Sequence, residues 1–274
     1  MSADTESKLL LGKHTPLVEH YAPELLYPMP RSIARETLGI SGALPFEGTD
    51  VWHAYEMSWL DQTGRPIARV GRFSVPATSP NLVESKSFKM YLNSLNNHRF
   101  DSVAQARDCI EGDISKVAGE TVTLELFNTD DNALAGHSLA GESLDECAIS
   151  AVAGEPSADL LKVSPGLILE ERLYSHLLRS LCPVTGQPDW ATVWLHYRGA
   201  ALERGSVLDY LIAYRNHREF HEQCVERMFC DIKRVCQPEF LHIQALYTRR
   251  GGLDISPFRS TEAAAKPLSR LNRQ

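Results

Sequence analysis

A thiol and a carboxyl group share one short segment of this chain. They are Cys182 and Asp189, in the run Ser-Leu-Cys-Pro-Val-Thr-Gly-Gln-Pro-Asp-Trp from Ser180 to Trp190. Pro183, Thr185, Gly186 and Pro188 between them favour bends and resist helix. Apolar runs flank the turn, Leu173 to Leu178 before it and Ala191 to Tyr197 after it. A loop between two strands can hold a nucleophile and a proton source side by side, the least that covalent catalysis needs. Cysteine attacks only as thiolate, and a free thiol ionises near ~8.5. A neighbouring acid could take that proton and return it to a developing nitrogen or oxygen anion. The same letters also fit a hairpin turn with a structural Cys and a capping Asp.

Further groups could complete such a site. His221 and Glu222 open a helical stretch, Phe220 to Cys236. Adjacent helical residues point about 100° apart, yet near a helix start both can reach one pocket. An imidazole and a carboxylate there suit the N–C–N edge of a purine-like base. An exposed first-turn pair with the Glu favourably placed for the helix dipole is the plainer reading. Cys224 follows closely, and if it lies near Cys182 it could lock the nucleophile as a reversible disulfide. Glu84 to Tyr91 starts another helix, with Glu84 or Ser85 as a possible cap. Its Lys86 and Lys89 share a face that could meet phosphate or simply be solvated. Arg249-Arg250-Gly251-Gly252 sets two guanidiniums beside flexible backbone, which suits a phosphate, above all an extra 2′-phosphate, or merely ends a basic strand. Neither G-x-G-x-x-G nor G-x-x-x-x-G-K-[ST] occurs, so any dinucleotide must be bound outside those two frames.

The elements that must position these groups follow from periodicity. Val51 to Leu60 and Ile67 to Val75 read as strands around Asp61-Gln62-Thr63-Gly64-Arg65-Pro66. Glu84 to Asn97 carries Phe88, Tyr91, Leu92 and Leu95 at helical spacing. Ser102 is placed to cap a second helix over Val103 to Val117. Val122 to Phe127 alternates as a strand. Residues 1–50 read as an N-terminal extension of extended segments over the core, and 129–164 as a connector carrying short strands.

This plan recurs. Ser58, Thr63, Gly64 and Pro66 match Ser180, Thr185, Gly186 and Pro188; Asn97-His98-Arg99 matches Asn216-His217-Arg218; Asp113-Ile114 and Val117 match Asp231-Ile232 and Val235, all at offsets between 118 and 122. Strand–turn–strand–helix–helix–strand therefore occurs twice. Two copies are too few for a solenoid and imply an α+β fold made of tandem modules, 51–128 and 165–260, each an antiparallel sheet with two helices on one face. The tail is 261–274. Aligned by letters, Cys182 faces Leu60, Asp189 faces Ile67, and His221-Glu222 faces Ser102-Val103. The polar set belongs to the second copy and Glu84-Ser85-Lys86 to the first, as if one ancestral site had been divided.

Bulk properties bound the function. A formal net charge of -7 argues against sequence-independent binding of nucleic acid. No apolar run reaches the ~18–20 residues of a membrane span. The first residues lack a signal-peptide pattern. The six cysteines have no Cys-x-x-Cys spacing, so neither a disulfide framework nor a structural metal site is expected. A cytoplasmic protein with reduced thiols is the expectation.

Together these residues resemble a known family, the NADPH-dependent 7-cyano-7-deazaguanine reductases of queuosine biosynthesis, in its long two-module branch. The family's signature is E-[SL]-K-[SA]-hydrophobic-K-[LY]-[YFW]. Glu84 to Tyr91 matches it at every position except Met90. The Cys182–Asp189 loop and His221-Glu222 are the other two blocks. The resemblance implies the tunnelling fold, in which small α+β modules associate into barrels, and a homodimer. It implies reduction of the deazapurine's nitrile to a primary amine through a thioimide on Cys182, with Asp189 as acid, two equivalents of NADPH and no metal. Val83, Glu84, Ser85, His221 and Glu222 would hold substrate; Ser85, Lys86, Arg250 and Gly251 would meet cofactor. No direct contact with tRNA is implied. Two other classes stay open on the residues alone: a cyclohydrolase-like enzyme of the same fold, which ordinarily needs zinc ligands, and a non-catalytic purine-binding module, which would not need Cys182.

Overall fold

The computed structural model describes residues 18–150 and 154–274. The first part of the expected extension, 1–17, and residues 151–153 of the expected connector lie outside the described residues. The chain divides into two compact units. Of the described residues, unit 1 takes 18–37, Asp50–Ala135 and Arg249–Asp254, and unit 2 takes Leu38–Thr49, Gly136–Thr248 and Ile255–Gln274. The α+β class read from the sequence is the one observed. No described helix is long and apolar enough to cross a membrane.

Unit 1 contains β1 (Pro28–Pro30), helix α1 (Arg31–Thr37), β2 (Glu47–Leu60) from Asp50 onward, β3 (Pro66–Pro76), β4 (Asn81–Val83), α2 (Ser85–Ser94), α3 (Val103–Ala118) and β5 (Thr123–Phe127). Its sheet runs β5-β3-β2, with β1 and β4 as a separate pair. The α3 stripe Ala106, Ile110, Ile114 and Ala118 is buried and packs on β4 and β5, as a helix with an apolar residue every fourth position must. Ser102 caps this helix by accepting from Gln105 N at 3.1 Å. Gly119, at φ 78°, ends it in the left-handed conformation that glycine adopts freely.

Unit 2 contains β6 (Glu142–Ser143), β7 (Val163–Leu181), β8 (Pro188–Leu202), α4 (Arg204–Ala213), α5 (His221–Cys236), β9 (Phe240–Tyr247) and β10 (Leu253–Ser260) from Ile255 onward. The order is β10-β9-β8-β7-β6. Neighbours are antiparallel except short β6, which runs parallel to β7. Helix α5 buries Cys224, Val225, Met228, Phe229 and Ile232 against β8 and β9.

The internal repeat is physical. Helices α2 and α4 have 10 residues each, and α3 and α5 have 16 each. In unit 1, Leu60 N donates to His98 O at 2.9 Å; in unit 2, Leu181 N donates to His217 O at 2.8 Å. Tyr91 OH donates to Asp113 at 2.6 Å, as Tyr210 OH does to Asp231 at 2.8 Å. These bonds correct the letter alignment. They pair Leu60 with Leu181, so Cys182 answers to Asp61 and not to Leu60. The second turn is one residue longer: Gly64 N reaches back to Asp61 O, but Gly186 N reaches back to Cys182 O. Likewise the helix starts pair His221 with Val103 and Glu222 with Ala104, one position from the letter match.

Candidate active site

In unit 2 the hairpin between β7 and β8 presents the thiol. Cys182 N donates to Gln187 O and Cys182 O accepts from Gly186 N, both at 2.9 Å. Gly186 sits at φ 68°, which a residue with a Cβ adopts only with strain. Asp189 lies across from Ser180 in the β7–β8 register. Directly opposed residues project to the same side of a sheet, and so do residues two apart on one strand. Cys182, two beyond Ser180, therefore shares a face with Asp189. Both are nearly inaccessible, at 4% and 7% exposure. A desolvated thiol and carboxyl can exchange a proton without competition from bulk water.

His221 is the first residue of α5. Its Nε2 stands 3.3 Å from Asp189 Oδ2, and its ring stacks on Tyr247 with centroids 3.7 Å apart and planes at 10°. Tyr247 pairs with Ala191 across β8 and β9, so the platform belongs to the sheet. Its hydroxyl is buried and its pKa is pushed well up, first by burial and then by Cys224. His221 Nδ1 is buried with no hydrogen-bond partner among the described residues. Glu222 is also buried, in the same first turn.

Cys224 lies deeper, fully buried at 0% exposure. Burial, followed by the negative charge of Glu219, raises its thiol pKa strongly; the Tyr247 and Ser180 hydroxyls act in the opposite sense. All six cysteines are free thiols.

In unit 1, Glu84 caps α2. Its two carboxylate oxygens accept from Lys86 N at 2.8 Å and Ser87 N at 2.7 Å, and Glu84 itself is 2% exposed. Val83 ends β4 and is buried, while Ser85 and Lys86 are half-buried. The basic segment closes a two-residue hairpin. Arg250 N donates to Leu253 O at 2.8 Å, and Gly251 and Gly252 take φ of 57° and 75°, the pattern of a type I′ turn that only glycine-like residues accept readily. A Cβ on Gly251 would stand 3.2 Å from Lys89 Nζ, so the α2 lysine lies directly on the turn. The signature helix with Ser85 and Lys86, and the turn with Arg250 and Gly251, are thus brought together. Positive charge beside backbone with no side chain in the way fits a dinucleotide's phosphates. Among the described residues no group of three or more His, Cys, Asp or Glu is arranged to hold a metal ion.

Sequence reasoning missed one group. Nothing in the letters marks Tyr247 as the shelf under His221.

Comparison with known proteins places these features. Residues 17–126 match the family described as "Nitrile reductase, 7-cyano-7-deazaguanine-reductase N-term", and residues 188–266 match that described as "QueF-like protein". The class is therefore that of the nitrile reductases. Among curated relatives, the NADPH-dependent 7-cyano-7-deazaguanine reductase of Dechloromonas aromatica is 53% identical over 97% of this chain and 94% of its own length. Proteins of the same name from Chromohalobacter salexigens and Bordetella avium are 50% and 47% identical over 96% and 94% of this chain, and over 96% and 94% of their own lengths. A solved structure, the apo form of the archaeosine synthase QueF-Like, covers 38% of this chain and 99% of its own with 20% identity and a TM-score of 0.30. The chain belongs to the family of NADPH-dependent 7-cyano-7-deazaguanine reductases, as the motifs at Glu84, Cys182 and His221 implied.

Proposed function

We propose that this protein reduces the nitrile of 7-cyano-7-deazaguanine to the aminomethyl group, consuming two NADPH and two protons, as a step of queuosine biosynthesis. The observation that carries the reading is the shared face of Cys182 and Asp189, with His221 against the carboxylate. The Cys182 sulfur adds to the nitrile carbon while Asp189 protonates the nitrogen, giving a covalent thioimide. Addition converts a linear, poorly electrophilic nitrile into a trigonal carbon with a protonated nitrogen. Bound NADPH supplies hydride at that carbon. Expulsion of the Cys182 thiolate then leaves an imine, and the second reduction with a further proton gives the amine. The low exposure of Cys182 and Asp189 supports this order, because a thioimide or imine hydrolyses where water is admitted. His221 and Glu222 hold the N–C–N edge of the base. Val83, Glu84 and Ser85 are the further substrate contacts that the family likeness implies. Ser85, Lys86, Arg250 and Gly251 hold the cofactor. The chain acts in the cytoplasm as a homodimer, touches no nucleic acid and uses no metal.

Mixing the protein with 7-cyano-7-deazaguanine in the absence of NADPH tests this. The expected result is a mass increase equal to the substrate on the peptide containing Cys182, with a new absorbance band. The same adduct on Cys182→Ala defeats the mechanism. Failure of the wild type to oxidise NADPH with this substrate defeats the function. Sedimentation velocity tests the dimer.

A further inference from the structure

The segment 261–274 of unit 2 is tied to β9 and β10 at several points. Thr261 N donates to Leu241 O at 2.9 Å, and Leu268 N donates to Gln244 Oε1 at 2.7 Å. Gln274 adds a buried amide. Its Nε2 donates to Tyr247 O at 3.1 Å and to Ser256 Oγ at 2.9 Å, while its Oε1 accepts from Leu271 N at 2.9 Å. Chemistry fixes which way this amide points, since the Tyr247 carbonyl only accepts and the Leu271 N–H only donates. The β9–β10 register runs from His242 opposite Ser260 to Gln244 opposite Phe258. Beyond it, the Gln274 amide bridges the two strands. On the other flank Tyr247 pairs with Ala191 of β8, and Thr248 N donates to Trp190 O at 2.8 Å. The main chain at Tyr247 is thus held from both sides. A segment that merely covered the sheet would need only apolar side chains. A buried amide whose donor and acceptor atoms are matched specifies one geometry.

We propose that Gln274 is a positioning residue for the Cys182–Asp189 site, acting through Tyr247 and His221. This rests on the reading that Asp189 delivers the proton to the substrate nitrogen. Each link is a contact within unit 2. The amide holds the Tyr247 carbonyl. The Tyr247 ring follows its main chain, because it is buried and its torsions are confined to discrete wells. His221 lies flat on that ring, with centroids 3.7 Å apart. Its Nε2 then stands 3.3 Å from Asp189 Oδ2. A shift of the shelf moves the imidazole, and with it the carboxyl that must meet the nitrile nitrogen. Misplacing a reacting group by about 1 Å costs on the order of 10²-fold in rate, so a partial release of the shelf is enough to be read kinetically.

The test reads the rate of adduct formation on Cys182 in the full chain, with 7-cyano-7-deazaguanine and no NADPH, beside the affinity for NADPH. Gln274→Met keeps the side-chain volume and removes the amide. It is expected to slow adduct formation about tenfold, the scale of one buried hydrogen bond, with NADPH affinity unchanged. Gln274→Glu, which keeps an acceptor for Leu271 N but offers no amide N–H to Tyr247 O, is expected to show the same loss and stands in if the Met variant fails to fold. In a Tyr247→Leu background, where the shelf is already gone, Gln274→Met is expected to add at most about twofold, because contacts acting in series are not additive. A wild-type rate in a folded Gln274 variant overturns the proposal alone. So does a loss that recurs in full on the Tyr247→Leu background, which is what a purely structural role would give. Should Tyr247→Leu fail to fold, His221→Ala supplies the background and the same outcomes decide. A wild type that forms no adduct on Cys182 overturns the covalent reading and the proposal together.

Discussion

The two units repeat one scaffold, and two of the points at which they differ hold the residues proposed for unit 2's chemistry. At the hairpin tip unit 1 has Asp61. Its Oδ1 accepts from Thr63 N at 2.9 Å, Thr63 Oγ1 at 2.6 Å and Arg65 N at 3.0 Å. Those bonds, led by the one from the Thr63 hydroxyl, lower its pKa to about 2. At the same point unit 2 has Cys182, whose side chain cannot bind the turn in that way. At the start of the long helix unit 1 has Ser102 as a working cap, and unit 2 has Phe220 with no side-chain cap. The second unit has thus given up two local stabilising groups, and a thiol and a His-Glu pair stand where they were or directly beside them. A duplicated scaffold can do this because its remaining anchors, such as the Tyr–Asp bond, are kept in both copies. Catalytic sites commonly occupy such locally suboptimal positions.

The comparison can be broken in order of expected effect. Cys182→Ala should lower the rate of NADPH oxidation by about 10³-fold or more, with the melting temperature preserved; Asp61→Ala, at the matching position, should leave the steady-state rate intact. A loss of rate in both would mean that the two tips share a structural role. Next come the buried anchors. Tyr91→Phe and Tyr210→Phe should each cost roughly 1–3 kcal/mol in denaturant unfolding, since each removes a hydrogen bond from a buried Tyr to a half-buried carboxylate. A large cost in one unit and none in the other would end the claim that the anchor is shared.

Smaller effects follow from the helix starts and from one histidine. Ser102→Ala should cost about 1 kcal/mol, and Phe220→Ser, which offers unit 2 the missing cap, should recover part of such an amount. His217 meets Glu219 at 3.1 Å and also contacts Glu155. Burial opposes its charge, but Glu219 first and then Glu155 outweigh burial and raise its pKa. A raised histidine stabilises the fold in full below its unfolded value of about 6.5, and that stability is lost as pH rises through the folded value. The fall in melting temperature between pH 6 and pH 8 should accordingly be smaller in His217→Gln than in the wild type.

Much of the scaffold was legible because its signals are local. The turn residues around Gly64 and Gly186, and the periods of α2, α3 and α5, mark those elements from the letters alone. What escaped was held by distant polar partners. Strand β10 is buried at all eight positions, yet it reads as Leu-Asp-Ile-Ser-Pro-Phe-Arg-Ser. Its Arg259 is satisfied by Glu226 at 2.8 Å on α5, a pairing that no alternation of apolar residues reveals. Helix α1 escaped for the same reason: it buries Arg31 and Arg35, which are held by Asp50 and by the Ala77 carbonyl at 2.6 Å each. At the site, the types and the order of Cys182, Asp189 and His221 were visible. The contact of His221 with Asp189 and the Tyr247 shelf were not, because they arise from sheet register and helix placement. The one-residue insertion in the second turn likewise could not be seen in matching letters, and it moved Cys182 from opposite a Leu to opposite an Asp.

Neither unit is a continuous piece of chain, and this bears on how the gene can be cut. Unit 1 includes Arg249–Asp254, which the ribosome makes only after nearly all of unit 2, and unit 2 includes Leu38–Thr49, made before most of unit 1. A premature stop after Thr248 would therefore damage both units at once, removing the arginine turn and Asp254 from the first as well as the closing strand of the second. Splitting the reading frame near residue 136 would yield two fragments, each lacking a piece of itself and carrying a piece of the other. Activity from such halves would require them to be produced together, and neither would be a sound starting point for dissecting the enzyme by expression of separate domains.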